Sequence, residues 1–183
     1  MTRATLLAGA LALAALAGCR GSPAAVSDAG AGGATFVAQA GDFQPFRSWR
    51  SVALGSQPNS ADPPGRRVAF VSAAPDAAAH RYPIGSMIVK AIENTSDPHG
   101  WDLFAMAKRG GDFDPSGTHD WEFFLLRLEA DDAIAILSRG TVLDDPTDAG
   151  AAYGSVGAIF CSACHGALGT DATDHVLSPE LAP

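Results

Sequence analysis

The sequence predicts an α+β fold: mainly an antiparallel β-sheet with a few helices, one of them near the C-terminus. Three observations predict it: a series of consecutive strand-like runs, short turn-rich joins between them, and one helical segment close to the end. Residues 44–54 open the body with helical spacing, placing Phe46, Trp49 and Val52 or Ala53 on one face. A polar, Pro-rich connection covers 55–65, and residues 67–72 read as a strand. Residues 75–80 suit a short helix, with Pro75 at its start and Asp76 in the first turn, where a carboxylate favours the helix dipole.

The next three runs are the main strands. Residues 86–92 are β-branched and apolar apart from Lys90. Residues 101–108 alternate, with Leu103, Ala105 and Ala107 on one side and Asp102, Phe104, Met106 and Lys108 on the other. Residues 119–128 hold Trp121, Phe123 and Phe124. The joins contain Asp97-Pro98 and Asp114-Pro115, both turn signals. Strands joined this briefly must be antiparallel neighbours, since a parallel return needs a longer crossover. Residues 156–168 close the pattern as a short helix.

The N-terminal end has a different character. Residues 1–18 place one positive charge, Arg3, ahead of a short Ala/Leu-rich core that ends in Leu16-Ala17-Gly18 before Cys19. This is the pattern of an export signal, and the apolar run is too short for a comfortable membrane span. Cleavage before Cys19 resembles bacterial lipoprotein processing, with that cysteine as the acylated N-terminus; ordinary secretory cleavage, leaving Cys19 a free thiol, is the alternative. The expected organisation is a signal peptide over 1–18, an acylated cysteine and Ala/Gly/Ser-rich flexible tether over 19–41, and one domain over 42–183. Without residues 1–18 the chain holds 11 basic and 20 acidic side chains, a net charge of −9. Such a chain does not favour nucleic acid.

Chemistry is concentrated in Cys161-Ser162-Ala163-Cys164-His165, which together with Cys19 uses all three cysteines. This C-x-x-C-H run is the covalent attachment signature of c-type haem: two thiols add to the vinyl groups and the adjacent histidine ligates the iron. The helix over 156–168 is therefore expected to bear one haem. A thioredoxin-like pair gains nothing from the trailing histidine, and a structural zinc site wants four ligands where only His175 lies nearby. A disulfide between Cys161 and Cys164 is the plain alternative for exported thiols. His80, His99, His119 and His175 read as surface or hydrogen-bonding residues, with His175 the best alternative sixth ligand.

In the order of its motifs the chain resembles the cytochrome P-460 and cytochrome c′-beta family over nearly the whole domain. The segments are Phe46-Arg47-Ser48-Trp49, Tyr82 to Lys90, Ala105-Met106-Ala107-Lys108, His119 to Phe124, the C-x-x-C-H run, and Thr173 to Ser178. The resemblance implies a mainly antiparallel β fold, usually a homodimer, with His165 as proximal ligand of a five-coordinate iron open to small nitrogen oxides. Lys90 falls where P-460 proteins, which oxidise hydroxylamine, cross-link a lysine to the haem rim; the c′-beta relatives bind nitric oxide without that link. A strand lysine can instead snorkel to solvent. By position Phe104 stands where the hydroxylamine-oxidising enzymes place a distal carboxylate, and Asp102 lies two residues away on the same side. Met106 is a further potential sixth ligand or a core residue. The expected protein is thus a periplasmic, lipid-anchored mono-haem cytochrome acting on nitric oxide or hydroxylamine with an electron-transfer partner, or alternatively a six-coordinate electron carrier.

Overall fold

The computed structural model describes residues 33–55, 64–144, 158–159 and 161–183. Its centre is a six-stranded antiparallel sheet whose spatial order is its sequence order. The strands are β1 Arg50–Ala53, β2 Arg66–Val71, β3 Met87–Glu93, β4 Asp102–Lys108, β5 Trp121–Leu128 and β6 Ile134–Gly140. Two short strands, β7 Leu143–Asp144 and β8 Ala158–Ile159, form a separate antiparallel pair. The α-helices are α1 Ala40–Phe43 and α2 Cys161–Leu168, so the molecule is α+β and mainly β.

The sheet is covered on both faces, which explains why its strands read as nearly continuous apolar runs. Successive side chains of a strand point to opposite faces. In β4, Leu103, Ala105 and Ala107 enter one apolar cluster, with Phe43, Phe46, Phe70, Val89 and Phe124. Phe104 and Met106 enter the other, with Ile88, Ile92, Trp121, Phe123, Val176 and Leu181. The N-terminal segment seals the first face by edge-on ring contacts, Phe43 on Phe124 at 5.0 Å and Phe46 on Phe70 at 5.2 Å. The C-terminal segment seals the second.

Residues 86–92, 101–108 and 119–128 form antiparallel neighbours as expected. Residues 44–54 do not form one helix. After Pro45 a single 3-10 turn covers Phe46–Ser48, and the chain then extends as β1, because Arg50 to Ala53 find ladder partners in Val71 to Val68. Pairing outweighs local helical spacing here. Residues 75–80 form a turn and no helix: the Asp76 carboxylate accepts from the backbone N–H groups of Ala78 and Ala79, and Asp76 bridges to Arg81. The residue read as a helix starter satisfies the turn instead. Strand β6 was not evident in the sequence pattern. The packed body extends N-terminal of Asp42: Ala38 is fully buried and Phe36 N–H donates to the Arg109 carbonyl.

Charged side chains also secure the two covers. On the first face, buried Glu122 takes a bidentate pair from Arg139, both bonds 2.8 Å, while Arg139 also donates to the Ala38 carbonyl. On the second, Lys108 and Asp174 form an ion pair whose side chains are 5% and 7% exposed. Lys108 also donates to the His119 carbonyl at 2.9 Å and sits 5.0 Å from the Trp121 ring centre. Asp174 accepts from Tyr82 N–H at 2.8 Å, and its carbonyl accepts from the Trp121 indole at 2.7 Å.

Removing one partner of such a pair strands the other charge in the interior. Asp174→Ala should lower unfolding stability by about 3–5 kcal/mol, and Lys108→Met with Asp174→Leu should cost less than that. Urea denaturation of the three proteins checks it; a double variant at least as unstable as Asp174→Ala would contradict the coupling.

Candidate functional site

Helix α2 opens at Cys161 and carries Cys164 and His165 three and four positions later, so all three share one side of the helix. Cys161 is partly buried against the second apolar cluster and Cys164 is exposed; both are unjoined thiols. The helix is anchored at its start by Ser162, whose N–H donates to the Thr141 carbonyl at 3.2 Å and whose hydroxyl donates to Asp114. Burial alone would raise the Asp114 carboxyl pKa. Hydrogen bonds from the Ser162 hydroxyl and from Thr118 outweigh it and hold the group below its ordinary value.

Past α2 the chain turns sharply back. A Cβ on Gly169 would come within 2.5 Å of the His165 carbonyl oxygen and 2.7 Å of the His175 Cα, so only glycine permits this approach. A 3-10 turn over Asp171–Thr173 follows, and Asp174 and His175 take left-handed backbone angles, φ 48° and 58°. The result places the His175 carbonyl 2.8 Å from His165 Nδ1. A carbonyl only accepts, so the proton of His165 is on Nδ1 and the lone pair is on Nε2. The Phe123 ring, 4.9 Å from the imidazole, packs against it from β5.

Across the sheet beneath α2 the register aligns Val52, Ala69, Lys90, Phe104, Leu125 and Ser138 in one row. Lys90 is in the middle of β3, partly buried, with Nζ 5.3 Å from the Phe104 ring centre. Its charge reaches α2: burial pushes the Cys161 thiol up to about 12, and the Lys90 ammonium pulls in the opposite direction without overcoming it. The fold therefore brings Lys90, Phe104 and Cys161 to one face. Asp102 shares that face one row along, opposite Ile92, and accepts from Asn94 Nδ2 at 2.9 Å. Met106 is 7% exposed within the apolar cluster, where it fills core space. His175 lies on the Nδ1 side of His165, away from Nε2, so it is badly placed to be a ligand opposite His165. Cys19 lies outside the described residues.

This donor set fits a covalently held haem. Two unjoined thiols stand one helical turn apart, a histidine with a fixed tautomer follows, and an apolar sheet face lies below. It suits the other C-x-x-C chemistries less well. A catalytic dithiol needs a lowered thiol pKa, and that of Cys161 is raised. Among the described residues, the one cluster of His, Cys, Asp and Glu with metal-ligand spacing contains neither motif cysteine. That cluster (His119, Asp171 and His175) and the Lys108–Asp174 pair were not singled out from the sequence. Only the lysine at the end of an apolar strand signalled the latter.

No protein-family model, no curated protein and no solved structure matches the chain.

In haem-free protein at about pH 8, Cys164 should alkylate readily and Cys161 slowly, because only a thiolate reacts and burial keeps Cys161 a neutral thiol. Peptide mass mapping over time checks it. Equal rates at the two thiols would contradict the buried placement of Cys161.

Proposed function

We propose that this chain is an exported, lipid-anchored mono-haem c-type cytochrome whose open distal position binds or turns over small nitrogen oxides. One observation carries the reading. The C-x-x-C-H helix lies over a sheet face bearing Lys90 and Phe104, with His165 Nδ1 bonded to a backbone carbonyl. A histidine oriented in this way offers Nε2 as a metal ligand, and the carbonyl bond fixes its ring. Cys161 and Cys164 would hold the haem through two thioethers and His165 would ligate its iron. When bound, the haem supplies an iron centre at which a nitrogen oxide binds and exchanges electrons with a redox partner.

The residues of the opposite row set the selectivity. Phe104 is an apolar ring where a proton-relaying carboxylate would favour hydroxylamine oxidation, so nitric oxide capture is the preferred substrate class. Lys90, directly across from Phe104, keeps hydroxylamine oxidation as the second reading, because by the family resemblance it matches the lysine that cross-links to the haem rim. Asp102, one row further along the same face, is the carboxylate that would move protons there. The six-coordinate electron carrier is less well supported: Met106 is committed to the core and His175 lies behind His165. The family resemblance, the homodimer and the periplasmic location belong to this same reading.

Three measurements test it. Expressed with c-type haem maturation, the chain should gain the mass of one haem, and Cys161→Ser with Cys164→Ser should abolish the gain. A parent protein without covalent haem would contradict the function. His165→Ala should keep the haem attached but alter its iron spectrum, and an unchanged spectrum would remove His165 as ligand. In the nitric oxide reading the haem-peptide mass is identical in Lys90→Ala and parent; a mass difference that reports a Lys90 cross-link would move hydroxylamine oxidation to first place.

A further inference from the structure

We propose that His119, Asp171 and His175 form a separate binding site for a divalent first-row transition-metal cation such as zinc. His119 comes from the loop ahead of β5, and Asp171 and His175 from the turn after α2, so the two segments meet only in the fold. The donor atoms of the three side chains lie within 4.8 Å of one another.

His175 provides the independent reason to place a ligand there. Its side chain is 7% exposed, and its Nε2 is buried with no hydrogen-bond partner. Its Nδ1 faces the His165 carbonyl at 3.4 Å, which puts the proton on Nδ1 and leaves a lone pair on Nε2. That lone pair faces Asp171 Oδ1 at 3.4 Å. The buried Nε2 lone pair and the carboxylate of exposed Asp171 are both acceptors, and a cation between them turns the contact into coordination.

Two of the three donor spacings suit an ion, and the third, between the two imidazoles, is within 4.8 Å. Asp171 Oδ1 is 3.4 Å from His175 Nε2 and 3.0 Å from His119 Nδ1. Donors bound at about 2.1 Å to one ion lie roughly 3.0–3.4 Å apart at octahedral or tetrahedral angles. Two imidazoles and a carboxylate suit zinc, iron(II) or copper better than calcium or magnesium, which prefer all-oxygen sites. Remaining coordination positions can open to solvent, since Asp171 and His119 are both exposed and line a cavity of about 280 Å³ with Asp112 and Asp120. Lys108 and Arg81 also line that cavity; Asp174 and the His119 carbonyl occupy the Lys108 ammonium, and Asp112, Asp120 and Asp171 face Arg81 across the same lining.

The site does not depend on the haem assignment, and the test keeps the two apart. Zinc chloride is titrated calorimetrically into the full chain with both motif thiols blocked, by attached haem or by alkylation. The parent should bind one zinc ion per chain, and His119→Ala and Asp171→Asn should each weaken binding at least about tenfold. Both substitutions lie on exposed side chains, so folding should be retained, which zinc-free thermal unfolding checks. The absence of saturable binding in the parent, or titrations unchanged in both variants, would overturn the proposal.

Discussion

The buried pair of Lys108 and Asp174 is the contact on which the site depends. Two charges are removed from water there, and their attraction offsets that cost only because the remaining capacity of each is also used. Lys108 has the His119 carbonyl and the Trp121 ring; Asp174 has Tyr82 N–H, and its own carbonyl takes the Trp121 indole. One end of the pair belongs to the central sheet and the other to the segment after α2. The pair therefore fixes the left-handed turn at Asp174 and His175, and that turn presents the carbonyl that holds His165 Nδ1. The orientation of the proposed iron ligand follows from a salt bridge several residues away.

The second constraint is that one sheet serves two apolar faces. The N-terminal segment covers one through Phe43 and Phe46, with Arg139 binding the Ala38 carbonyl at its margin. This leaves the other face to α2 and the C-terminal segment. The thiol of Cys161 sits at the boundary, where burial keeps it neutral and the Lys90 charge pulls the other way.

Much of this was legible in the sequence where the signal was local. The alternation of residues 101–108 separated Leu103, Ala105 and Ala107 from Asp102, Phe104 and Met106, and those sets face the two clusters. The short joins gave antiparallel neighbours; the helix expected over 156–168 forms only over Cys161–Leu168, because residues 158–159 pair with Leu143 and Asp144 as β8. Long-range choices were not legible. Residues 50–53 became a strand because β2 offered a ladder, and residues 75–80 a turn because the Asp76 carboxylate bonds backbone N–H groups. No local pattern pairs Lys108 with Asp174, 66 residues apart, or gathers His119 with Asp171 and His175. Such contacts exist only once the sheet has brought its loops together.

The proposed open haem iron, held from one side by His165, is tested most directly by absorption spectroscopy. The ferrous protein, matured with c-type haem, is recorded before and after nitric oxide is added. An open iron gives a high-spin spectrum that changes on adding the gas. A low-spin ferrous spectrum indifferent to nitric oxide would mean that a second protein ligand fills the distal position, and the chain would then be an electron carrier.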